Sequence, residues 1–325
     1  MSAAELLERV EAGGLLAGPE PLLVLLSGGR DSVCALDLAV RARGAEAVRA
    51  LHVNYGLREE AGGDERHCVH LCERLGVPLE VERAPRPEGG GNLQAWAREV
   101  RYAAATRLAE ETGATIVTGH TADDQVETIL YRLASSPSRR ALLGMRSCSR
   151  IPGRNASVSL ARPLLGTTRA ETTAYCEERG LAWRDDVTNE AADYKRNLLR
   201  RELIPELERI HPAAKENVAR TAALLREEAE LLDSLVDAEL AGGEGVEAGT
   251  ISHARFAELH PALRRLVLQR LADGAAGRPV AGAARFADQV AALTRGGSVL
   301  DLGGGVRAVL EGGVLRAELS QPPYI

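Results

Sequence analysis

The sequence lacks several features that would assign a protein to a class at once. No apolar run approaches about 18 residues, so no membrane-spanning helix is expected. The first residues are acidic and amphipathic, unlike the basic and then apolar leader of a secreted protein. The five cysteines are irregularly spaced, which argues against a disulfide framework and fits a reducing compartment. We therefore expect a cytoplasmic globular protein, as its 45% hydrophobic and 26% charged residues also indicate.

Lysine is scarce, and acids are missing from one long segment. The chain has only Lys195 and Lys215, so arginine supplies most of its positive charge. The net charge of −6 by itself argues against a nucleic-acid partner. Between Arg132 and Ala170, however, no Asp or Glu accompanies eight arginines: Arg132, Arg139, Arg140, Arg146, Arg150, Arg154, Arg162 and Arg169. This local excess suits a phosphate backbone, since each contact releases counterions; the alternative is a generally arginine-rich, solvated surface.

Two cysteines and two histidines within one helical pattern are candidate metal ligands: His67, Cys68, His70 and Cys72. Helical spacing puts both cysteines on one face. Zinc sites usually pair C-x-x-C elements from separate segments, and the chain has no such pair. We therefore favour small buried residues over metal ligands here.

A loop rich in serine and glycine follows the apolar run Leu22–Leu26 and precedes a helix-compatible segment. It predicts a strand-to-helix turn formed by Ser27, Gly28, Gly29, Arg30, Asp31 and Ser32. Glycines let backbone N–H groups approach a ligand, and the helix N-terminus adds partial positive charge. The loop has no lysine, so the pattern G-x-x-x-x-G-K-[ST] does not fit, and Asp31 would repel phosphate unless a cation such as Mg²⁺ intervened. We predict a loop for a metal-bridged nucleotide; the alternative is a plain connecting turn.

Strand-like and helical segments alternate through the first half of the chain. The predicted strands are Leu22–Leu26, Ala47–Val53, Leu79–Arg83 and Ala114–Thr118, and helices are predicted over Gly62–Leu75 and Leu93–Thr112. This order predicts an α/β protein with a doubly wound parallel sheet, whose ligands bind at the carboxyl ends of the strands. A break near Pro205–Pro212, a long amphipathic helix and three short strands predict a second, smaller and mostly helical domain. We place the domains at residues 1–208 and 209–325.

An acidic segment, residues 119–128, follows the fourth predicted strand. Asp123 or Asp124 can cap the helix that begins there, and Glu127 lies one turn beyond Asp124 on the same face. In the alternative interpretation, the two acids only interact favourably with the helix dipole at the N-terminus and have no binding role. Their place at a strand end, beside a phosphate loop, favours a site that receives a cation, either Mg²⁺ or an amine.

Further motifs stand at residues 52–58, 92–102, 162–165 and 185–201, the last containing Asn189, Tyr194, Arg196, Asn197 and Arg200. Together with the first loop and the acidic segment, they resemble in order and spacing the tRNA(Ile)-lysidine synthetases, a family of the ATP-pyrophosphatase (PP-loop) superfamily. That family's patterns are S-G-G-x-D-S, H-V-N-H-G-L-R, N-x-x-x-x-A-R-x-x-R-Y, T-G-H-x-x-D-D-Q-x-E-T, R-P-L-L and D-x-[ST]-N…Y-x-R-N-x-x-R. The resemblance covers about residues 20–210, and residues 300–305 resemble the family's first C-terminal domain. It implies the fold of the adenine nucleotide alpha hydrolases.

The resemblance implies ATP-dependent ligation of L-lysine to C2 of the wobble cytidine of tRNA-Ile with anticodon CAU, releasing AMP and pyrophosphate. It implies that residues 27–32 hold ATP, with Asp31 at Mg²⁺, and that Asp124 and Glu127 bind the lysine ammonium groups. Arg196 is expected to orient the lysine carboxylate or the adenylate. Asn54, His120 and Arg98 are placed at the nucleotide pocket. The second domain and five arginines are expected to contact tRNA: Arg139, Arg140, Arg146, Arg150 and Arg200.

Two departures from the family pattern stand out. Tyr55 replaces a common histidine, and residues 133–145 replace a glycine-rich loop while retaining Leu143-Gly144-Met145. Arg139 and Arg140 are candidates to take over that loop's electrostatic role. The alternatives to a lysine ligase are a PP-loop tRNA-modifying enzyme with another nucleophile and a non-catalytic tRNA-binding descendant. A sulfur-using relative would show C-x-x-C pairs, and a non-catalytic one would lose the acids first. A homodimer stays open.

Overall fold

The structure, a computed structural model, describes residues 1–57, 61–84, 93–135, 139–153, 157–184, 197–241, 249–294 and 296–320. These residues divide into two compact units, Met1–Ala223 and Leu224–Ile325. The boundary predicted at 208/209 precedes the helix Ala214–Leu240, whereas the units divide inside that helix. In the described residues, no helix is both long enough and apolar enough to span a membrane.

The first unit is an α/β fold built on a six-stranded sheet. Its strands are β1 (Leu22–Leu25), β2 (Val48–Asn54), β3 (Leu79–Arg83), β4 (Thr115–Val117), β5 (Cys148–Pro152) and β6 (Ser157–Ala161). Its helices are α1 (Ala3–Ala12), α2 (Arg30–Arg43), α3 (Ala61–Leu75), α4 (Leu93–Thr112), α5 (Ala122–Ser135), α6 (Arg139–Leu142), α7 (Arg169–Glu178) and α8 (Ile204–Ile210). The strand order is β3-β2-β1-β4-β6-β5. Neighbouring strands pair in parallel except β5 with β6, which confirms the predicted fold class with one antiparallel edge.

Helices cover both faces of this sheet, as continuous apolar strands require. All four residues of β1 are buried, and their side chains alternate between the two faces. Leu22 and Val24 share a core with α1, α2, α3 and α7, whereas Leu23 and Leu25 pack in a second core with α4. The first loop and α4 consequently belong to opposite faces of the sheet.

The hairpin β5–β6 was not predicted from the sequence. Its residues 148–152 lie in the arginine-rich segment, where the apolar alternation is weak and only alternate side chains of β5 are partly buried. β6 has the clearer pattern, with Val158 and Leu160 buried in the core beside α4. The hairpin adds the antiparallel edge and places several arginines beside the sheet.

The second unit combines helices with a four-stranded antiparallel sheet. Its elements are α9 (Ala214–Leu240, which begins in the first unit), β7 (Ile251–Ser252), α10 (His253–Glu258), α11 (Pro261–Ala276), α12 (Ala287–Ala291), β8 (Ser298–Gly303), β9 (Val306–Glu311) and β10 (Val314–Leu319). The strand order is β7-β10-β9-β8. The three predicted C-terminal strands are confirmed, and β7 is an addition.

Candidate functional site

The loop at residues 27–32 connects β1 to α2, as predicted. Helix α2 begins at Arg30, and its N-cap, Gly29, makes no side-chain capping bond. The hydroxyl of Ser32 donates to the Gly29 carbonyl at 2.7 Å and lies 3.1 Å from the Ser27 hydroxyl. The loop therefore holds its own shape while the first N–H groups of α2 stay without a side-chain cap, the arrangement that favours an anion.

Two glycines fix the backbone of this loop. Gly28 has φ of +85°, a conformation that side chains rarely adopt. Gly119, at the end of β4, approaches the loop so closely that a Cβ there would lie 2.5 Å from the Asp31 carbonyl oxygen. The motifs at 27–32 and 119–128 thus touch through backbone, and only glycine fits between them.

Asp31 lies on the first turn of α2 and faces α7. Its Oδ1 accepts hydrogen bonds from Thr172 Oγ1 at 2.6 Å and from Arg30 Nε at 3.2 Å. The Asp31 side chain is 21% exposed, and its Oδ2 lies 3.8 Å from Arg169 Nε. One accessible carboxylate beside serine hydroxyls is a donor set that suits Mg²⁺, which usually takes one or two carboxylates plus phosphate oxygens.

Asp124 has a structural task as well as its predicted one. Its Oδ2 accepts the Thr121 backbone N–H at 2.9 Å and the Thr121 hydroxyl at 3.0 Å, which closes the N-terminus of α5. The other carboxylate oxygen, Oδ1, stays directed towards α7, at 2.6 Å from Arg169 Nη2. One side chain therefore caps the helix and also presents a charged oxygen to the site.

Glu127 lies on the same face of α5, as predicted, and its side chain is only 3% exposed. Its Oε1 accepts from Arg169 Nη1 at 3.1 Å and also from Arg200 Nε. Arg200 Nη2 in turn lies 3.6 Å from Asp124 Oδ1. Two arginines from distant parts of the chain thus neutralise the acidic pair, so the cation expected at these acids is here supplied by the protein itself.

The electrostatics of this cluster follow from burial and charge pairing. Burial acts to raise the pKa of Asp124, but the Arg169 guanidinium and the Thr121 hydrogen bonds outweigh it and hold that pKa below its usual range. Burial likewise acts to lower the pKa of Arg169, and Asp124 and Glu127 reverse this. Asp124 and Arg169 are therefore both charged at neutral pH.

His120 is neutral at physiological pH. Burial lowers its pKa to about 4, and nearby Arg162, Arg101 and Arg98 act in the same direction, against Asp124. Its Nδ1 lies 2.8 Å from the Thr118 hydroxyl. A neutral imidazole at a strand end can donate or accept a hydrogen bond towards a base or a ribose.

Gln125 contacts the part of residues 133–145 that keeps the family pattern, Leu143-Gly144-Met145. Its buried amide accepts from Met145 N at 2.6 Å and donates to Met145 O at 2.9 Å. Gly144 has φ of +61°, and a Cβ there would lie 2.6 Å from Gln125 Oε1. The segment Leu143-Gly144-Met145 is therefore anchored on α5 by backbone, which requires the glycine.

The remaining predicted residues lie at the end of β2, in the arginine-rich segment, or outside the described residues. Asn54 Nδ2 donates to Glu65 at 2.8 Å, and Asn54 Oδ1 accepts from Gly56 N, so this amide holds the end of β2. Arg139 in α6, Arg146 before β5 and Arg150 in β5 are exposed. Arg196 and the Arg140 side chain lie outside the described residues, as do Arg58, Arg154, Asn189 and Tyr194. The binding roles assigned to all of these residues stay predictions.

Sequence reasoning missed Arg169 and Thr172 as parts of the site. Arg169 appeared only as one of the eight arginines in the acid-free segment, yet its guanidinium contacts Asp31, Asp124 and Glu127. The available signal was the capping box at Thr168 and Glu171, which starts α7 at this position. The capping box predicts where α7 begins, but it does not predict which end of which strand α7 lies against.

The cysteines of α3 are core residues, as favoured from the sequence. Cys68 and Cys72 are buried, and burial raises the pKa of each thiol to about 12. Among the residues that the structure describes, no three His, Cys, Asp or Glu side chains are grouped to hold a metal ion. The role of the Tyr55 departure is packing: its ring lies edge-on to Trp96 at 5.8 Å.

Comparison with known proteins agrees with this geometry. A tRNA(Ile)-lysidine synthase of Thermus thermophilus is 39% identical over 318 residues, which are 95% of this chain and 60% of that protein. One of Dehalococcoides mccartyi is 36% identical over 276 residues, 81% of this chain and 58% of that protein. This chain thus spans about 60% of the length of the curated relatives it matches.

A solved structure supports the fold. The U34-tRNA thiolase NcsA from Methanococcus maripaludis, with its [4Fe-4S] cluster, aligns with a TM-score of 0.58 at 19% identity, covering 69% of this chain and 78% of that one. Residues 3–207 match the PP-loop domain family, which indicates an ATP-using domain. With this match and the resemblance to the lysidine synthases confirmed, the chain belongs to the PP-loop domain family.

Proposed function

We propose that this protein ligates L-lysine to C2 of the wobble cytidine of tRNA-Ile with anticodon CAU, in the cytoplasm, at the expense of ATP. The reaction has two steps. The cytosine O2 attacks the α-phosphorus of ATP and pyrophosphate leaves, which turns that oxygen into a good leaving group. The lysine ε-amine then attacks C2, forms the C–N bond and expels AMP together with O2.

The phosphate end of the site is assigned to residues 27–32. The uncapped first turn of α2 supplies N–H groups and partial positive charge to the departing pyrophosphate. Asp31 is the residue that would hold Mg²⁺, which when bound would neutralise phosphate charge. Thr172 keeps the Asp31 carboxylate oriented towards the site by its 2.6 Å hydrogen bond.

The amine end is assigned to Asp124 and Glu127. Their oxygens accept N–H donors from two guanidiniums, and the ammonium groups of lysine would displace these donors on binding. An amine must be neutral to attack, so one of these carboxylates is also the base that removes its proton. Arg196 is proposed to orient the lysine carboxylate, and His120 the base or adenylate.

The observation that carries the proposal is the convergence of two chemistries on one sheet edge. A phosphate loop and an acidic pair meet there, joined by Gly119 against Asp31 and by Arg169, which contacts Asp31 and Asp124. Displacing a phosphate-activated oxygen from carbon by an amine needs both groups within one pocket. A nucleotide-binding module alone would not need the acids, and the 39% identity to a lysidine synthase over most of the chain points the same way.

The test is mass spectrometry of the wobble nucleoside after incubation of unmodified tRNA-Ile with ATP and isotopically labelled lysine. We expect the label at position 34 as lysidine, and none on a matched tRNA carrying uridine there. A stable adenylated tRNA that other nucleophiles discharge, but lysine does not, would instead favour the alternative of a PP-loop enzyme with another nucleophile.

The nucleotide products test the first step separately. We expect AMP and pyrophosphate in equal amounts, because the phosphate loop has no lysine of the Walker type. Stoichiometric ADP would contradict attack on the α-phosphorus.

A further inference from the structure

A second basic pocket lies on the face of the sheet that α4 covers. It has a volume of about 510 Å³ and lies between α4 and the hairpin β5–β6. Its polar walls are Arg98, Tyr102, Arg150 and Arg162, and Ile151 and Pro152 form an apolar side. The motifs that supply Arg98, Tyr102 and Arg162 are those at residues 92–102 and 162–165, to which the proposed chemistry assigns no firm task.

Among the described residues, no carboxylate forms an ion pair with the arginines of this pocket. Arg162 is only 8% exposed, and its Nη1 donates to the Arg146 carbonyl at 2.7 Å and to Ser149 Oγ at 3.1 Å. Within the described part of the chain, its Nε has no hydrogen-bond partner, nor do the buried Arg101 Nε and Tyr102 hydroxyl. Arg162 and Tyr102 line the pocket, and a buried polar group without a partner is costly.

Like charges are also crowded here. The guanidiniums of Arg98 and Arg101 lie 4.6 and 5.5 Å from the centre of the Tyr102 ring. Burial lowers the pKa of Arg162, and the neighbouring Arg98 acts in the same direction, against the Tyr102 hydroxyl beside it. The acid of the pocket lining is Glu99, which is exposed, and no ion pair joins a described carboxylate to Arg98, Arg101 or Arg162. A cluster of this kind is stabilised by an anion.

We propose that this pocket, defined by Arg98, Tyr102 and Arg162, binds a phosphodiester of the RNA substrate next to the nucleotide that enters the active site. The proposal rests on the proposed function in taking RNA as the substrate. The anion is a phosphate group because planar guanidiniums match its oxygens in pairs.

The source of that phosphate is the RNA strand rather than ATP. The loop at 27–32 leads into α2, which packs in the core on one face of the sheet, whereas α4 packs on the other. His120 links the two regions: it follows β4, whose Val117 pairs with Ala161, the neighbour of Arg162, and it precedes Thr121, which donates to Asp124. An RNA strand whose base enters at the sheet edge near His120 would run with its backbone along the α4 side of the sheet. The Tyr102 ring and the arginines of the pocket lie on that side.

The experiment measures binding of unmodified tRNA-Ile at several salt concentrations and binding of ATP by calorimetry. The variants are Arg98→Gln and Arg162→Gln. The matched control is Arg107→Gln, on the same helix but paired with Glu82 at 2.9 Å and outside the pocket. We expect each pocket variant to weaken tRNA binding about tenfold and to reduce the slope of log affinity against log salt by about 0.7, the value for one phosphate of a single strand. ATP affinity and the control should not change.

Two outcomes of this experiment would overturn the proposal. A fall in ATP affinity with an unchanged salt slope would overturn the proposal and return Arg98 to the nucleotide pocket. Unchanged binding of both ligands would also overturn it. Arg162→Gln removes two structural hydrogen bonds. If that variant does not fold, the test rests on Arg98→Gln, which changes an exposed residue. The assay needs no lysine or turnover, so a wild-type protein that forms no lysidine but shows these slopes would sink the proposed function and leave this site standing.

Discussion

The two ends of the candidate site are built in different ways. The phosphate end, residues 27–32, closes on itself: Ser27, Gly29 and Ser32 bond to one another across a strand-to-helix turn. The acidic end depends on the rest of the chain, because Glu127 on α5 is paired with Arg169 from α7 and with Arg200 beyond it. The first is a local structure that carries its chemistry within six residues, and the second is assembled from three distant segments.

This difference decides how each end should respond to mutation. A self-contained loop can lose the Asp31 carboxylate without loss of shape, so its variants should change chemistry alone. In the acidic end each charge compensates another, so removal of one partner changes both ligand binding and stability. Asp31 is where the two ends meet, because it belongs to the loop and faces Arg169.

The largest effect is expected at that meeting point. Asp31→Ala should slow tRNA-dependent pyrophosphate release by roughly a hundred- to a thousandfold, the usual loss when one charged group of a phosphate site is removed. Affinity for tRNA should hardly change, because this carboxylate serves metal and phosphate. The measurement is single-turnover pyrophosphate release with tRNA binding in parallel.

The matched control for Asp31→Ala is Thr172→Val, which removes only the hydroxyl that orients the carboxylate and should cost much less. Parallel loss of turnover and tRNA binding in a folded Asp31→Ala protein would mean that the loop is not a separate unit.

A smaller effect is expected at the acidic end. Asp124→Asn and Glu127→Gln should each raise the lysine concentration for half-maximal rate by about ten- to a hundredfold, with little change for ATP, since a charge-assisted hydrogen bond is worth about 1.5–3 kcal/mol. Steady-state kinetics with each substrate varied in turn provide the measurement.

Asp123→Asn is the neighbouring control for this pair. The Asp123 carboxylate accepts the Arg169 backbone N–H at 2.8 Å and lies 3.4 Å from Lys215 Nζ, away from the paired acids. Its lysine requirement should stay near that of the wild type. If ATP use alone fails in the Asp124 and Glu127 variants, these acids are metal ligands and lysine binds elsewhere.

The same contrast explains what the sequence could predict. The strands, the loop at 27–32 and the shared face of Asp124 and Glu127 follow from local periodicity and turn chemistry, and all appear in the structure. Arg169 was not assigned to the site, and Arg200 was predicted to contact tRNA and not the acids, because their partners depend on how α7 and the segment after it pack against α5. The hairpin β5–β6 was missed since its outer strand is half polar and too short for a clear alternation.

A further prediction separates stability from catalysis at the acidic end. Arg169→Ala should lower the free energy of unfolding by about 1–2 kcal/mol, between the values for exposed and fully buried pairs, because Arg169 is 27% exposed and Arg200 still pairs with Glu127. Arg209→Ala, which breaks an exposed pair with Glu206, should cost less than about 0.5 kcal/mol. Urea unfolding measures both.

The pH dependence of that loss has a defined sign. The folded pKa of Asp124 is depressed, so its pairing stabilises the protein above the unfolded pKa and is lost as the pH falls through the folded one. The deficit of Arg169→Ala should therefore be largest near neutrality and shrink in acid. An equal deficit at all pH values would mean that the arginine contributes packing and not charge.

The smallest effect concerns His120, where the two ends and the basic pocket influence one group. Burial and three arginines lower its folded pKa to about 4, below the usual value near 6.5. Between those two pH values the unfolded chain binds a proton that the folded protein does not, so His120 makes stability fall as the pH drops through this window. Imidazole NMR signals, assigned by their loss in His120→Gln, should show no titration of His120 between pH 5.5 and 8. The Arg98→Gln variant should raise the His120 pKa slightly, because it removes one of the three cations. A His120 that titrates near its usual value would mean that the strand-end pocket is open to water, and that the acidic end and the basic pocket act on separate ligands.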